Sequence, residues 1–210
     1  MTITAGRTYA GQSAADRAAE RRARLLDATL DLLGSREALS VRGVIERSGV
    51  APRYFYEEFD DLGDAQVALF RTLVTEAEHR ALAALATAPR RARDRIRAVL
   101  SEMVALMLDD PRRGRVLLLE SLGSETLGAL RAAELRRFAG LLVTHSGAAI
   151  DGRETSSSSV VRTAAFAMGG FTETLSEVLQ TGGEVDREDL VDDLTELFLG
   201  TGWALRRMRR

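Results

Sequence analysis

The chain has 210 residues, enough to bury a sizeable core, and 29 basic groups against 31 acidic ones give it a formal net charge of −2. That near balance excludes a uniformly basic surface, and the absence of cysteine excludes disulfides, thiolate metal sites and cysteine nucleophiles. Residues 1–16 (MTITAGRTYAGQSAAD) lack the apolar core of a secretory signal, and no run of about 18 apolar residues occurs, so a cytoplasmic chain with no membrane partner is expected.

Charge is nonetheless uneven. Residues 1–24 carry five Arg and two acids, whereas residues 184–201 carry seven acids and one Arg. Ala, Leu, Arg and Glu dominate and only three prolines interrupt the chain, a composition that favours helix throughout.

After a tail expected to be disordered over residues 1–16, Leu25, Leu26, Thr29, Leu30 and Leu33 fall on one stripe of a first amphipathic helix, with Arg17, Arg21, Arg22 and Arg24 at its start. Ser40 suits the N-cap of a short helix carrying Val41, Val44 and Ile45, and Gly49 suits the left-handed position that ends it. Pro52 then opens another short helix, on which Phe55 and Phe59 share a face. A long helix follows from Leu62 to about Ala86 and stops at Thr87-Ala88-Pro89. The next spans about 92–109, one runs from Pro111 to about Leu122, and one covers roughly 126–149. Asp151-Gly152, Thr155 and the serines after it read as a loop. Two helices, about 157–180 and 187–207, close the chain. No alternation of period two survives anywhere, so the expected fold class is all-α, with about nine helices and no internal repeat.

Four of the eleven aromatic residues, Tyr54, Phe55, Tyr56 and Phe59, crowd into the segment that begins at Pro52. A helix, a tight turn containing Gly and a second short helix make a helix-turn-helix, which seats its second helix in the DNA major groove. Phe55 and Phe59 would anchor that helix, leaving Arg53, Tyr54, Tyr56 and Glu57 toward the groove. The same residues equally describe a helical hairpin within a larger bundle, its tyrosines half-buried, and Glu57 and Glu58 would repel phosphates.

Residues 17–75 resemble the DNA-binding module of the TetR family of transcriptional regulators: RRARLLDATLDLL matches its first helix, SVRGVIERSGV its second helix and turn, and APRYFYEEF its recognition helix. PRYFYEEFDDL is the most specific string; DPRRGRVLLLESLG and the two closing helices are looser likenesses. The resemblance implies a helix-turn-helix domain over 17–61 and a helical regulatory and dimerisation domain over 62–210. It further implies that Ser40 caps the second helix, that Arg42 and Tyr56 reach phosphates, that Tyr54 touches DNA, and that Glu57 stands at a base-reading position. Arg53 stands where many members have Gly. The connection from Gly34 to Leu39 is about two residues shorter than the family norm, Ile45 replaces a small residue, and Leu62 replaces a phosphate-binding Lys.

For the larger domain the resemblance implies a small, largely apolar effector, and Met103, Met107, Phe138, His145, Phe166 and Phe171 are the candidate lining. Val161, Ala165, Met168 and Leu175, with Leu194 and Phe198 of the last helix, are the candidate homodimer interface, although the same apolar stripes also suit core helices of a monomer. No cofactor, metal ligand set or catalytic spacing emerges: His79 and His145 are the only histidines, and neither sits in a ligand motif. The expectation is a ligand-responsive transcriptional repressor bound as a homodimer to a palindromic double-stranded DNA operator. The competing readings are a helical small-molecule enzyme using Glu102, Glu120, Arg131, His145 or Glu173, and a protein-interaction module that does not bind DNA.

Overall fold

The computed structural model describes residues 13–145 and 158–208, apart from the side chains of 143–145, 205, 206 and 208. The loop expected around Asp151-Gly152 lies outside these described residues, as does most of the N-terminal tail. Helix α1 (Ala14–Gly34) starts three residues before Arg17, the expected first residue, because Ser13 and Asp16 form a reciprocal capping box. The short helices α2 (Val41–Ser48) and α3 (Pro52–Glu58) follow. Ser40 accepts a hydrogen bond from the Gly43 amide at 3.0 Å, and Gly49 ends α2 at φ 61°, the left-handed region that glycine enters without a Cβ penalty. A second stop comes from α1, whose Arg24 guanidinium donates to the Ser48 carbonyl that α2 leaves without a helical partner.

The long helix α4 (Leu62–Thr87) leads into α5 (Ala92–Leu108). Beyond it α6 (Pro111–Gly114), a π-helical stretch (Arg115–Glu120) and α7 (Ser121–Gly123) form one continuous rod. The π stretch brings i and i+5 into register, and Arg115 pairs with Glu120 at 3.5 Å. The rod was expected as plain α-helix; its apolar pattern carries no mark of the wider turn. Helices α8 (Glu125–His145), α9 (Ser158–Thr181) and α10 (Arg187–Met208) complete the bundle. With the α6-to-α7 rod counted once, nine helices stand among the described residues, and no strand.

Side chains gather into two main cores. The small one joins Leu25, Ala28 and Leu32 of α1 to Val44, Val50, Phe55, Phe59 and Ala65. The large one runs from Leu30 of α1 and Leu69 to Val74 of α4 through α5, the π stretch, α9 and α10. Thus α1 and α4 contribute to both. Arg97 of α5 pairs with Asp192 at 2.7 Å and with Glu188, so acids near the start of α10, where they also complement the helix dipole, tie α10 to α5.

The two cores meet at an arginine clamp. Asp31 of α1 accepts from Arg47 of α2 and, at 3.3 Å, from Arg112 of α6, while Arg112 also binds Asp110 at 2.8 Å. Gly34 makes this approach feasible, because a Cβ there would stand 2.3 Å from Arg112 Cβ and 2.7 Å from its Cα. The Arg47 guanidinium holds the Asp31 carboxyl below the usual carboxylate range, and Arg112 does the same for Asp110. A depressed folded pKa contributes stability above the unfolded pKa of about 3.9 and loses it as pH falls through the lower folded value. Asp31→Asn is therefore expected to lower stability by about 1 kcal/mol near pH 7 and to flatten the acid side of the melting-temperature profile below about pH 4. Thermal melts of both proteins from pH 3 to 7 check this; parallel profiles would refute it.

Candidate nucleic-acid interface and effector cavity

Helix α3 is divided sharply by burial. Phe55 and Phe59 are closed inside the small core with ring centroids 5.6 Å apart, whereas Tyr56 is 62% exposed and Arg53 and Glu57 are exposed beside it. Alternate occupancy of core and solvent by neighbouring aromatics resolves the crowding at 54–59: two rings fix the helix and one is displayed. Tyr54 is intermediate in both senses. Its half-buried ring lies under Arg21 of α1 at 4.1 Å and Arg53 at 4.5 Å, and its hydroxyl accepts from Arg53. It thereby orients two cations at the exposed end of α3, a role for Arg21 that no local pattern marks.

Glu58 is turned back to Arg22 at 3.2 Å, so only Glu57 of this acidic pair remains displayed. Arg42 stands in the first turn of α2, exposed and paired along its own helix with Glu46 at 2.7 Å. Ser40 is exposed and occupied as the helix cap. The six residues expected at the interface therefore lie on α2, its cap and α3. Ile45 and Leu62, the two unusual side chains, pack partly buried against the small core. The shortened connection is closed by Arg36, whose φ of 59° is the one positive value at a non-glycine among the described residues.

In the large core a cavity of about 290 Å³ opens between α4, α5, the π stretch, α8, α9 and α10. Met103, Met107, Phe138 and Phe171 line it as expected residues, and Met168 and Phe198, expected at a dimer interface, line it too. The Phe171 and Phe198 rings meet edge to face with centroids 6.4 Å apart, joining α9 to α10 at its wall. Phe166 does not belong to the cavity: it is 74% exposed. Five residues separate it from Phe171, which at 100° per residue places the two rings on well-separated faces. The side chain of His145 lies outside the described residues. Lining residues that sequence reasoning did not single out include Leu117 and Leu118 of the π stretch and the charged groups Glu78, Arg90, Arg95 and Glu134; Arg131, considered only for acid-base chemistry, lines the cavity as well.

The expected dimer residues divide. Val161 and Ala165 are exposed, but Leu175 is 0% exposed and Leu194 2%, so both belong to the core of one chain and are unavailable to another. The apolar side chains left in solvent on these helices are instead Phe166 and Val161 on α9 and Leu197 and Trp203 on α10, with Gly169 and Gly170 exposed alongside. Apolar periodicity alone places Leu175 and Leu194 with Val161 and Ala165, and the fold turns the first two into its own core.

The residues proposed for acid-base chemistry do not converge. Glu102 lies 4.0 Å from Arg80, Glu120 pairs with Arg115, Glu173 is exposed on α9, and Arg131 alone among those with a described side chain lines the cavity. Among the described residues no cluster of three or more histidines and acids is arranged to hold a metal ion, and no helix is long and apolar enough to cross a membrane.

No family model matches the chain, and no curated protein matches it in sequence. Solved structures do. The transcriptional regulator FadR from Bacillus subtilis, in complex with stearoyl-CoA, superposes with a TM-score of 0.73 at 18% identity, covering 84% of this chain and 96% of its own. The fatty acid degradation regulator FadR from Bacillus halodurans gives 0.72 at 15% identity over 85% of this chain and 94% of its own. A TetR family transcription regulator from Marinobacter aquaeolei VT8 gives 0.67 at 14% identity over 89% and 97%. The coverage extends far beyond the helix-turn-helix, so the chain as a whole has the fold of the TetR-type transcriptional regulators.

Proposed function

We propose that the chain is a TetR-family transcriptional regulator, a repressor that binds a palindromic operator as a homodimer and responds to a small, largely apolar effector. The observation that carries this reading is the division of α3, whose apolar half is buried in the small core while Arg53, Tyr56 and Glu57 stand in solvent, as Arg42 of α2 does. A seven-residue helix gains little from its own propensity, so its packing is what holds a hydrogen-bonding face outward. Arg42 and Tyr56 take phosphates; Arg53 and Glu57 read base edges.

The effector reading is supported by the apolar cavity and by a neighbour of the same fold that was solved with stearoyl-CoA. Helix α4 carries the signal in this account. Its Leu62 and Ala65 pack in the small core, and its Phe70, Val74 and Ala77 line the cavity, so an occupant that shifts α4 shifts the recognition helices. The α6-to-α7 rod offers a parallel route, with Arg112 on Asp31 at one end and Leu117 and Leu118 at the cavity wall. The dimer face is the exposed set Val161, Ala165, Phe166, Leu197 and Trp203, where Gly169 and Gly170 permit close approach of another backbone.

A mobility-shift assay with the DNA flanking the chain's own gene tests the reading as a whole, and failure to bind any site there specifically would overturn it. Two half-sites facing one side of the duplex are expected about one turn, roughly 34 Å, apart. Arg42→Ala is expected to weaken binding to all sequences and to reduce the slope of log affinity against log salt by about one, since the Arg42–Glu46 pair it abandons is exposed and worth little. A salt titration that leaves the slope unchanged removes Arg42 from the phosphate contacts. Leu197→Glu is expected to convert the dimer to monomer in sedimentation experiments and to weaken operator binding at least tenfold, with the melting temperature of the monomer little changed because this side chain is 64% exposed. A dimer that persists in this variant would place the interface elsewhere.

A further inference from the structure

Two cavity-lining arginines, Arg95 and Arg131, each bury an Nε–H group with no hydrogen-bond acceptor. A guanidinium cannot discharge by losing a proton, so a buried N–H on it that finds no acceptor is costly and calls for a partner. The other two such groups have company: Arg21 stacks on Tyr54, and Arg113 is flanked by Glu76 at 2.7 Å and Asp110 at 3.6 Å. Arg95 and Arg131 pair with no acid among the described residues. The cavity's own carboxylates do not serve them, because Glu78 and Glu134 are both taken by Arg137, at 2.8 and 2.6 Å. The lining is otherwise chiefly apolar, so the cavity joins an oily body to uncompensated positive charge.

We infer that the effector is an amphipathic organic monoanion, an apolar body bearing one carboxylate whose charge is matched by Arg95 and Arg131. A carboxylate supplies the missing acceptors, and charge-assisted hydrogen bonds to guanidinium are the strong ones. The size follows from the volume: at about 30 Å³ per water-sized group, 290 Å³ holds on the order of ten heavy atoms. This inference rests on the reading of the same cavity as the effector site.

The test uses the full chain without DNA and three probes: decanoate, its neutral counterpart decanol, and stearoyl-CoA. Calorimetric titration is expected to show decanoate binding at least tenfold more tightly than decanol. In the double variant Arg95→Met/Arg131→Met that preference is expected to vanish while decanol binds as before, which shows that the cavity has survived. If the double variant does not fold, the decanoate-to-decanol ratio of the parent chain decides alone. Equal affinities, no binding of either, or a preference that persists in the folded double variant would overturn the inference and leave ordered water as the partner of the two arginines. Stearoyl-CoA binding tenfold more tightly than decanoate would overturn it in favour of a long thioester. Because no DNA is present, failure of operator binding leaves this result standing, and failure here leaves operator binding standing.

Discussion

Helices α1 and α4 bury side chains in both hydrophobic cores, and the rest of the molecule depends on that sharing. The eight residues of α2 and seven of α3 are too few for helices that stand alone in water. They persist because Leu25, Ala28 and Leu32 on one side and Ala65 on another close over Val44, Phe55 and Phe59. Helix α4 then runs without interruption from Ala65 in the small core to Phe70 at the cavity, five residues or about 7.5 Å along its axis. Packed interiors are close to incompressible, so a displacement of α4 at the cavity is passed to α3 as a rigid movement.

The arginine clamp adds a second joint of a different kind. Arg112 lies against Gly34 at a distance that leaves no room for a side chain, so sliding α6 along α1 meets backbone immediately. Asp31 holds Arg112 and Arg47 together, which places one carboxylate between the large helical bundle and α2 of the small core. Steric contact fixes the distance there and charge fixes the direction. The π stretch immediately beyond puts Leu117 and Leu118 against the cavity, so the start and the middle of one rod are committed to different tasks.

Most of the helices were readable because their apolar residues repeat every three or four positions and their ends carry Ser40, Gly49 or Pro52. The split of α3 was readable for the same reason, since Phe55 and Phe59 are four apart and Tyr56 is not on their face. Tertiary partners were not. Periodicity shows that Leu175 and Leu194 sit on apolar stripes but not whether a stripe faces its own core or another subunit; only the buried positions of the folded chain separate the two. The unpartnered state of Arg95 and Arg131 was hidden for a related reason: a sequence shows an arginine on a helix, and the lack of an acid opposite it is a property of packing. The Asp31–Arg112 pair spans 81 residues of sequence, beyond the reach of any local pattern.

The energetics of such a cavity leave ample room for control. A ligand of about ten heavy atoms gains between roughly 0.3 and 1.5 kcal/mol per atom, or on the order of 3 to 15 kcal/mol in all. Coupling between two sites typically amounts to about 1 to 3 kcal/mol. In the proposed regulator only a fraction of the binding energy therefore has to differ between DNA-gripping and DNA-releasing arrangements, and a ligand bound equally by both would shift nothing. The fraction that differs must come from contacts that change when α4 or the π stretch moves. Phe70, Val74, Leu117 and Leu118 satisfy that condition because they line the cavity from the two elements that also reach the small core or the clamp. Arg95 and Arg131 stand on α5 and α8, which take no part in the small core, so in the proposed mechanism charge matching would supply affinity and the apolar contacts on α4 and the π stretch would supply the response.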